Sequence, residues 1–211
     1  MFFLDDSNNF PPIELASKEG ILAIGGDVQP ERIIKAYKSG IFPWYASGEP
    51  IVWYSPDPRM VLYPEKVYIS KSMRKILQNQ EFSVTFNQEF EQVIHLCKTI
   101  KRKDQEGTWI TDALEKTMIT LHKQGLAKSV EVWQENKLVG GLYGLDFGTL
   151  FCGESMFSIV SNASKIAFIS LAQDLATKKY PIIDCQVYNE HLASLGAVEI
   201  PRSTFKKYLP E

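Results

Sequence analysis

Three polar side chains stand inside apolar runs of this chain: Glu154 in TLFCGESMF, and Asp184 and Gln186 in IIDCQV. Both runs have the composition of strands, whose side chains alternate between faces. Asp184 and Gln186 are therefore expected to project together while Cys185 projects the other way. A carboxylate flanked by Ile182, Ile183 and Val187 is costly to bury without a hydrogen-bond or charge partner. Neither strand needs these groups in order to fold. Two carboxylates and an amide on neighbouring strands suit acid–base catalysis. A satisfied buried network, or a sheet edge facing water, would carry the same residues without chemistry.

The elements that must hold these residues are legible in the spacing of apolar positions. Phe90, Val93, Ile94 and Cys97 recur at helical spacing after Asn87, a residue suited to an N-cap, and Leu114, Met118 and Leu121 do so between Thr111 and Gly125. Three strand-like runs follow, SVEVWQ, LVGGLYGL and TLFCGESMF, joined by turns short enough to imply an antiparallel meander. A helix is expected from about Asn162 to Lys179, then the strand IIDCQV, a short helix in NEHLASLG and a last strand in AVEIPR.

The first 62 residues differ in texture and are expected to form a small N-terminal domain with a connector, leaving residues 63–211 as the main domain. GILAIGGDV reads as a strand ending in a Gly25-Gly26-Asp27 turn, and Pro30 opens a helix that Gly40 stops. The double glycine lacks the lysine and spacing of a phosphate loop. The stretch IFPWYASGEPIVWYSPDPRMVLYP reads as an ordered connector whose aromatics pack either on the main domain or on a flat ligand such as a nucleobase. Lys71, Arg74 and Lys75 in SKSMRKILQ share one helix face, and KTIKRK, residues 98–103, closes another expected helix. Each basic stretch is either a solvated face or a patch that tracks phosphates.

Composition narrows the classes. With 211 residues, a formal net charge of −2 and 45% apolar residues, the chain suits a soluble protein with a full core, not one that binds nucleic acid over its whole surface. No apolar run approaches the roughly 20 residues of a membrane span, and the acidic start MFFLDDSNNFPP lacks the features of a secretory signal. A cytoplasmic location with no membrane partner is expected. Cys97, Cys152 and Cys185 are odd in number and lie in apolar patterns, which suits reduced core thiols. They and His95, His122 and His191 show no metal-ligand spacing, so no metal and no cofactor are expected.

The order helix, helix, meander, helix, strand, short helix, strand resembles the fold of the GCN5-related N-acetyltransferases. That implies an α+β chain in which a small N-terminal domain packs on an acyltransferase-like domain with a mixed, largely antiparallel sheet. Acetyl-CoA users of that fold cradle a pyrophosphate with a glycine-containing loop before the helix that follows the meander. The corresponding stretch here, MFSIVSNASKIA, has no glycine, which disfavours a CoA-dependent N-acetyltransferase and calls for another activated acyl carrier. A non-catalytic RNA-binding module is a further alternative, in which Asp184 and Gln186 would be superfluous.

GILAIGGDVQPERIIKAYKSGIFPWY, WYSPDPRMVL, EGTWIT, LVGGLYG, GTLFCGESMFS, NASK, IIDCQV and HLASLGAVEIPR are together similar, in order and across nearly the whole chain, to the leucyl/phenylalanyl-tRNA–protein transferase family. Some relatives run on past the segment matching EIPRSTFKKYL. The resemblance implies transfer of Leu or Phe, with Met as a further donor, from aminoacyl-tRNA to the N-terminal α-amino group of proteins beginning with Arg or Lys. The product would be a degradation signal of the N-degron pathway, made by a monomer. It further implies that Gln186 lies beside the attacking amine, that Asp184 orients or polarises Gln186, and that Glu154 joins the same polar centre, where the carboxylates would attract the cationic acceptor. An apolar amino-acid pocket is implied around Leu142, Phe151, Met156, Phe168, Leu171 and Ile183. Trp44 and Trp109 resemble the aromatic residues near the terminal adenosine, and Lys71, Arg74 and Lys75 the basic helix that meets the acceptor stem. The chemistry is undemanding. The aminoacyl ester is already activated, an α-amine with a pKa of about 7.7–8.0 is partly neutral at pH 7, and positioning can supply several kcal/mol of acceleration.

Overall fold

A computed structural model describes residues 2–100 and 108–210. Within them the elements run β1 (Phe2–Leu4), β2 (Ile21–Gly25), α1 (Pro30–Lys38), β3 (Phe42–Pro43), β4 (Val52–Tyr54), β5 (Arg59–Leu62), α2 (Lys71–Gln78), β6 (Ser83–Phe86) and α3 (Phe90–Thr99). They continue with α4 (Asp112–Lys123), β7 (Ala127–Gln134), β8 (Lys137–Asp146), β9 (Leu150–Ser158), α5 (Ala163–Thr177), β10 (Ile182–Gln186), α6 (Glu190–Ala193), β11 (Val198–Ile200) and α7 (Arg202–Phe205). Residues 101–103 of the basic stretch at 98–103 lie outside the described residues, as does the start of EGTWIT.

The strands form a small sheet in the order β1-β2-β4-β3 and a seven-stranded sheet in the order β11-β5-β10-β9-β8-β7-β6. In the larger sheet β9 and β10 run parallel, while the other described pairs are antiparallel. The expected meander is β7, β8 and β9. Gly144 of β8 lets β9 come close: a Cβ there would sit 2.3 Å from the Cys152 carbonyl oxygen. The α+β architecture with a mixed, largely antiparallel sheet is the one expected.

The sheet is covered on both faces. On one, α3 presents Phe90, Val93, Ile94 and Cys97, and α4 presents Leu114, Met118 and Leu121, joined in a single core with Tyr37, Phe42 and Trp53 of the N-terminal region. On the other, α5 packs Ile166, Phe168, Leu171 and Leu175 against Leu142, Phe151 and Ile183. Thr111 caps α4, its hydroxyl accepting from the Leu114 amide.

Three expectations are corrected. Asn87 does not cap α3, which begins with Glu89 at its cap. Asn87 instead adopts φ 58° and its side chain accepts the Ser129 amide, a cross-strand bond that helical spacing cannot foretell. The aromatic, proline-rich stretch is not a connector throughout, because it supplies β3, β4 and β5. These strands are two to four residues long, too short to display an alternation, and Arg59–Leu62 is buried on both faces in the larger sheet. The strict alternation expected through Gln186 also fails. Register shifts between Asp184 and Gln186, and Gln186 sits at φ 65°.

Candidate active site

The parallel pair sets the level of the polar centre. Asp184 lies opposite Cys152, so two residues further along Glu154 and Gln186 come level on neighbouring strands. The Gln186 amide nitrogen donates to Glu154 Oε1 at 2.8 Å. That orientation leaves the amide's carbonyl oxygen as the acceptor available to a ligand.

Asp184 acts on the backbone of Gln186, not on its side chain. Its Oδ1 accepts the Gln186 amide N–H at 2.9 Å, a side-chain turn spanning two residues that stabilises the left-handed conformation. A non-glycine residue held at positive φ costs on the order of 1–3 kcal/mol and is found where surrounding structure enforces it. Here the enforcement is Asp184, which is itself gripped by Arg59. The guanidinium Nε meets Oδ1 at 2.8 Å and Nη2 meets Oδ2 at 2.7 Å, with both side chains 1% exposed. Its third nitrogen reaches the Gly40 carbonyl at 3.3 Å, and the Phe42 and Phe205 rings lie 4.8 and 4.7 Å from its carbon.

This pairing revises the expected electrostatics. Asp184 is paired with Arg59 and 1% exposed, so the guanidinium offsets its charge toward an incoming cation. Glu154 is half-buried with Oε2 shielded. Burial is the main reason its carboxyl is pushed up to about 8, against the opposing effects of hydrogen bonding from Tyr37 and Gln186 and the charge of Arg59. The Tyr37 hydroxyl of α1 faces it, yet neither that hydroxyl nor Oε2 completes a hydrogen bond of good geometry.

Beside the polar pair lies a cavity of about 730 Å³. Leu142, Met156, Phe168 and Leu171 line it, and so do Glu154, Asp184 and Gln186. Phe151 and Ile183 do not; they are 2% and 0% exposed in the core behind it. Trp44, 43% exposed, and Trp109, half-buried, also line the cavity. Lys71, Arg74 and Lys75 stand exposed on α2, whose Ser70 cap and buried Met73 fix it to the domain, and none of the three borders the cavity. Among the described residues no group of three or more His, Cys, Asp or Glu side chains is placed to hold a metal ion.

Several residues here escaped the reading of the sequence. Arg59 had a signal: a cation in the apolar run RMVL needs a buried anion, and Asp184 needed a partner. Tyr37 had none, being one apolar position of an amphipathic helix. His191 of α6 borders the cavity with its Nε2 shielded and unpartnered, and burial, followed by the Lys165 charge, lowers its pKa.

An apolar cavity closed by an amide–carboxylate pair on a mixed sheet defines an α+β protein with a built ligand site. Family models place it further. Residues 61–210 match leucyl/phenylalanyl-tRNA protein transferase, and residues 26–57 match the N-terminal domain of the same family. The chain is 58% identical over 209 residues to the leucyl/phenylalanyl-tRNA–protein transferase of Flavobacterium johnsoniae, covering 99% of each. With that of Christiangramia forsetii the identity is 52%, covering 99% of this chain and 100% of the relative. The chain belongs to the leucyl/phenylalanyl-tRNA protein transferase family. Among solved structures, a conserved protein of unknown function from Bacteroides thetaiotaomicron aligns with a TM-score of 0.49 at 12% identity, over 74% of this chain and 56% of that one, a likeness too distant to bear on function.

Proposed function

We propose that this chain transfers Leu or Phe, with Met as a further donor, from aminoacyl-tRNA to the N-terminal α-amino group of proteins beginning with Arg or Lys. The neutral amine attacks the ester carbonyl, a C–N bond forms, and the C–O bond to the ribose breaks as that oxygen takes up a proton. The new N-terminus serves as a degradation signal, and the enzyme works as a cytoplasmic monomer. The observation that carries this reading is the apolar cavity of about 730 Å³ that ends at the Gln186–Glu154 pair, with Trp44 and Trp109 on its lining.

Each part of the site has a task in this reaction. Leu142, Met156, Phe168 and Leu171 receive the amino-acid side chain, with Phe151 and Ile183 supporting them from the core. Leu and Phe, unbranched at Cβ, enter such a pocket, whereas a β-branched side chain misfits at about 1–3 kcal/mol per methylene-sized clash. Trp44 and Trp109 stack on the terminal adenosine. The Gln186 carbonyl oxygen accepts a hydrogen bond from the amine and so aligns its lone pair. A neutral amide is too weak a base to keep the proton, which leaves through the ribose hydroxyl or water. Glu154 and Asp184 hold that amide by its side chain and by its backbone.

Incubation with radiolabelled Leu-tRNA and peptides beginning with Lys, Arg or Ala tests the reading. Label is expected on the Lys and Arg peptides and not on the Ala peptide. No label on any peptide, or binding of CoA in calorimetry, would overturn it.

The exposed cations of α2 give a second check. Replacing Lys71, Arg74 and Lys75 together by alanine is expected to weaken tRNA binding and to lower the log–log salt slope by about 2–3, roughly one for each phosphate contact removed. An unchanged slope would mean that α2 is only a solvated face.

A further inference from the structure

Arg59 touches no reacting group, yet three other parts of the chain converge on it. Gly40 and Phe42 come from the N-terminal region, Arg59 itself from β5, Asp184 from β10 and Phe205 from α7. Its partner in the ion pair is 125 residues away in sequence. All this surrounds a pair that is 1% exposed, and Arg59, which does not border the cavity, acts on it through Asp184 and the bond from the Gln186 amide.

We infer that Arg59 is a positioning residue for transfer: its guanidinium, forked onto Asp184 between the Phe42 and Phe205 rings, fixes the carboxylate that holds Gln186 in its left-handed turn and so aims the amide across the site. This deepens the transferase reading and rests on it. The chemistry asks for an arginine. Only a planar fork can meet both carboxylate oxygens at once, at 2.8 and 2.7 Å, and present flat faces to two rings. A lysine keeps the charge but makes a single point contact, leaving the carboxylate free to rotate. Rotation of Asp184 takes Oδ1 away from the Gln186 N–H and removes the backbone hydrogen bond that holds the strained φ of 65°. The ion pair therefore acts as a brace, not as a charge offered to substrate.

The test is a double-mutant cycle with full-length protein, Leu-tRNA and an Arg-initiated peptide. Arg59→Lys is expected to lower kcat about 10²-fold, the usual consequence of a displacement near 1 Å at a reacting group, with KM for Leu-tRNA within about 2-fold of wild type. In a Gln186→Ala background the same substitution should cost less than about 3-fold, because the residue it acts through is already gone. Losses that multiply in the double variant would overturn the inference and mark Arg59 as merely structural. Amide hydrogen exchange supplies a readout independent of activity. The Gln186 N–H should exchange at least about 10-fold faster in Arg59→Lys, with the core amide of Leu114 unchanged. Unaltered exchange at Gln186 overturns the inference whether or not the chain transfers amino acids, whereas failure of wild type to label any peptide overturns only the transferase reading. Should Arg59→Lys not fold, Phe205→Leu keeps the fork, removes one ring face and carries the same cycle and exchange measurement, with an expected loss of about 3–10-fold.

Discussion

Replacing Asp184 with alanine is expected to remove about 3–5 kcal/mol of folding stability, because it strands the Arg59 guanidinium without a counter-charge where both side chains are 1% exposed. That is a large share of the roughly 5–15 kcal/mol that holds a typical domain together. Urea unfolding followed by tryptophan fluorescence measures it. A midpoint equivalent to less than about 1 kcal/mol of loss would show that water reaches Arg59 once the carboxylate is gone. Removing the pair as a unit should be far milder. Arg59→Met combined with Asp184→Leu leaves no stranded charge and is expected to recover most of the stability. Transfer should nevertheless stay lost in the double variant, since nothing then accepts the Gln186 N–H. Loss of activity in Asp184→Ala alone would therefore be ambiguous, and the double variant separates the reaction from the fold.

Exchanging Glu154 for glutamine is expected to flatten the response of stability to pH. Burial, the largest influence on this carboxyl, raises it from 4.5 to about 8. Between those values the folded chain holds a proton that the unfolded chain has released, so wild type loses stability as pH rises through the window. The contribution is fully present below about pH 4.5 and gone above about pH 8. Glutamine mimics the protonated form and has no proton to lose. Wild type should therefore fall relative to Glu154→Gln by at most about 1.4 kcal/mol per pH unit, less in practice because solvent reaches part of the residue. Parallel stability curves for the two proteins between about pH 5 and about pH 8.5 would contradict the burial of Glu154. The rate has the same landmark. A group that ionises near pH 8 is matched to an α-amine of pKa about 7.7–8.0, so glutamine at this position should sharpen the contrast between one titration and two in the pH–rate profile.

Much of the scaffold was legible because it is local. The spacing Leu114, Met118, Leu121 between Thr111 and Gly125 specifies α4 within a dozen or so residues, and short turns specify the meander of β7, β8 and β9. The errors have a common origin in bonds that span long sequence distances. Asn87 looked like a helix cap and is held by Ser129 across two strands. The strands β3, β4 and β5 carry too few residues to show a period and exist because neighbouring strands pair with them. Within the site, apolar flanks marked Glu154, Asp184 and Gln186 as residues that need partners.

The sequence by itself determined the order of elements from α3 to β11, the family and the fact that three polar groups must be satisfied inside apolar strands. Only the tertiary structure decided how. It gave Glu154, not Asp184, the Gln186 side chain, and it gave Asp184 to Arg59 and to the Gln186 backbone. It also turned Gln186 out of the strand's alternation at φ 65°, and it placed Phe151 and Ile183 behind the cavity instead of on its wall. The physical reason is reach. Periodicity and capping act over one or two turns of chain, whereas a buried charge takes whichever partner the fold delivers to it, here one that is 125 residues away.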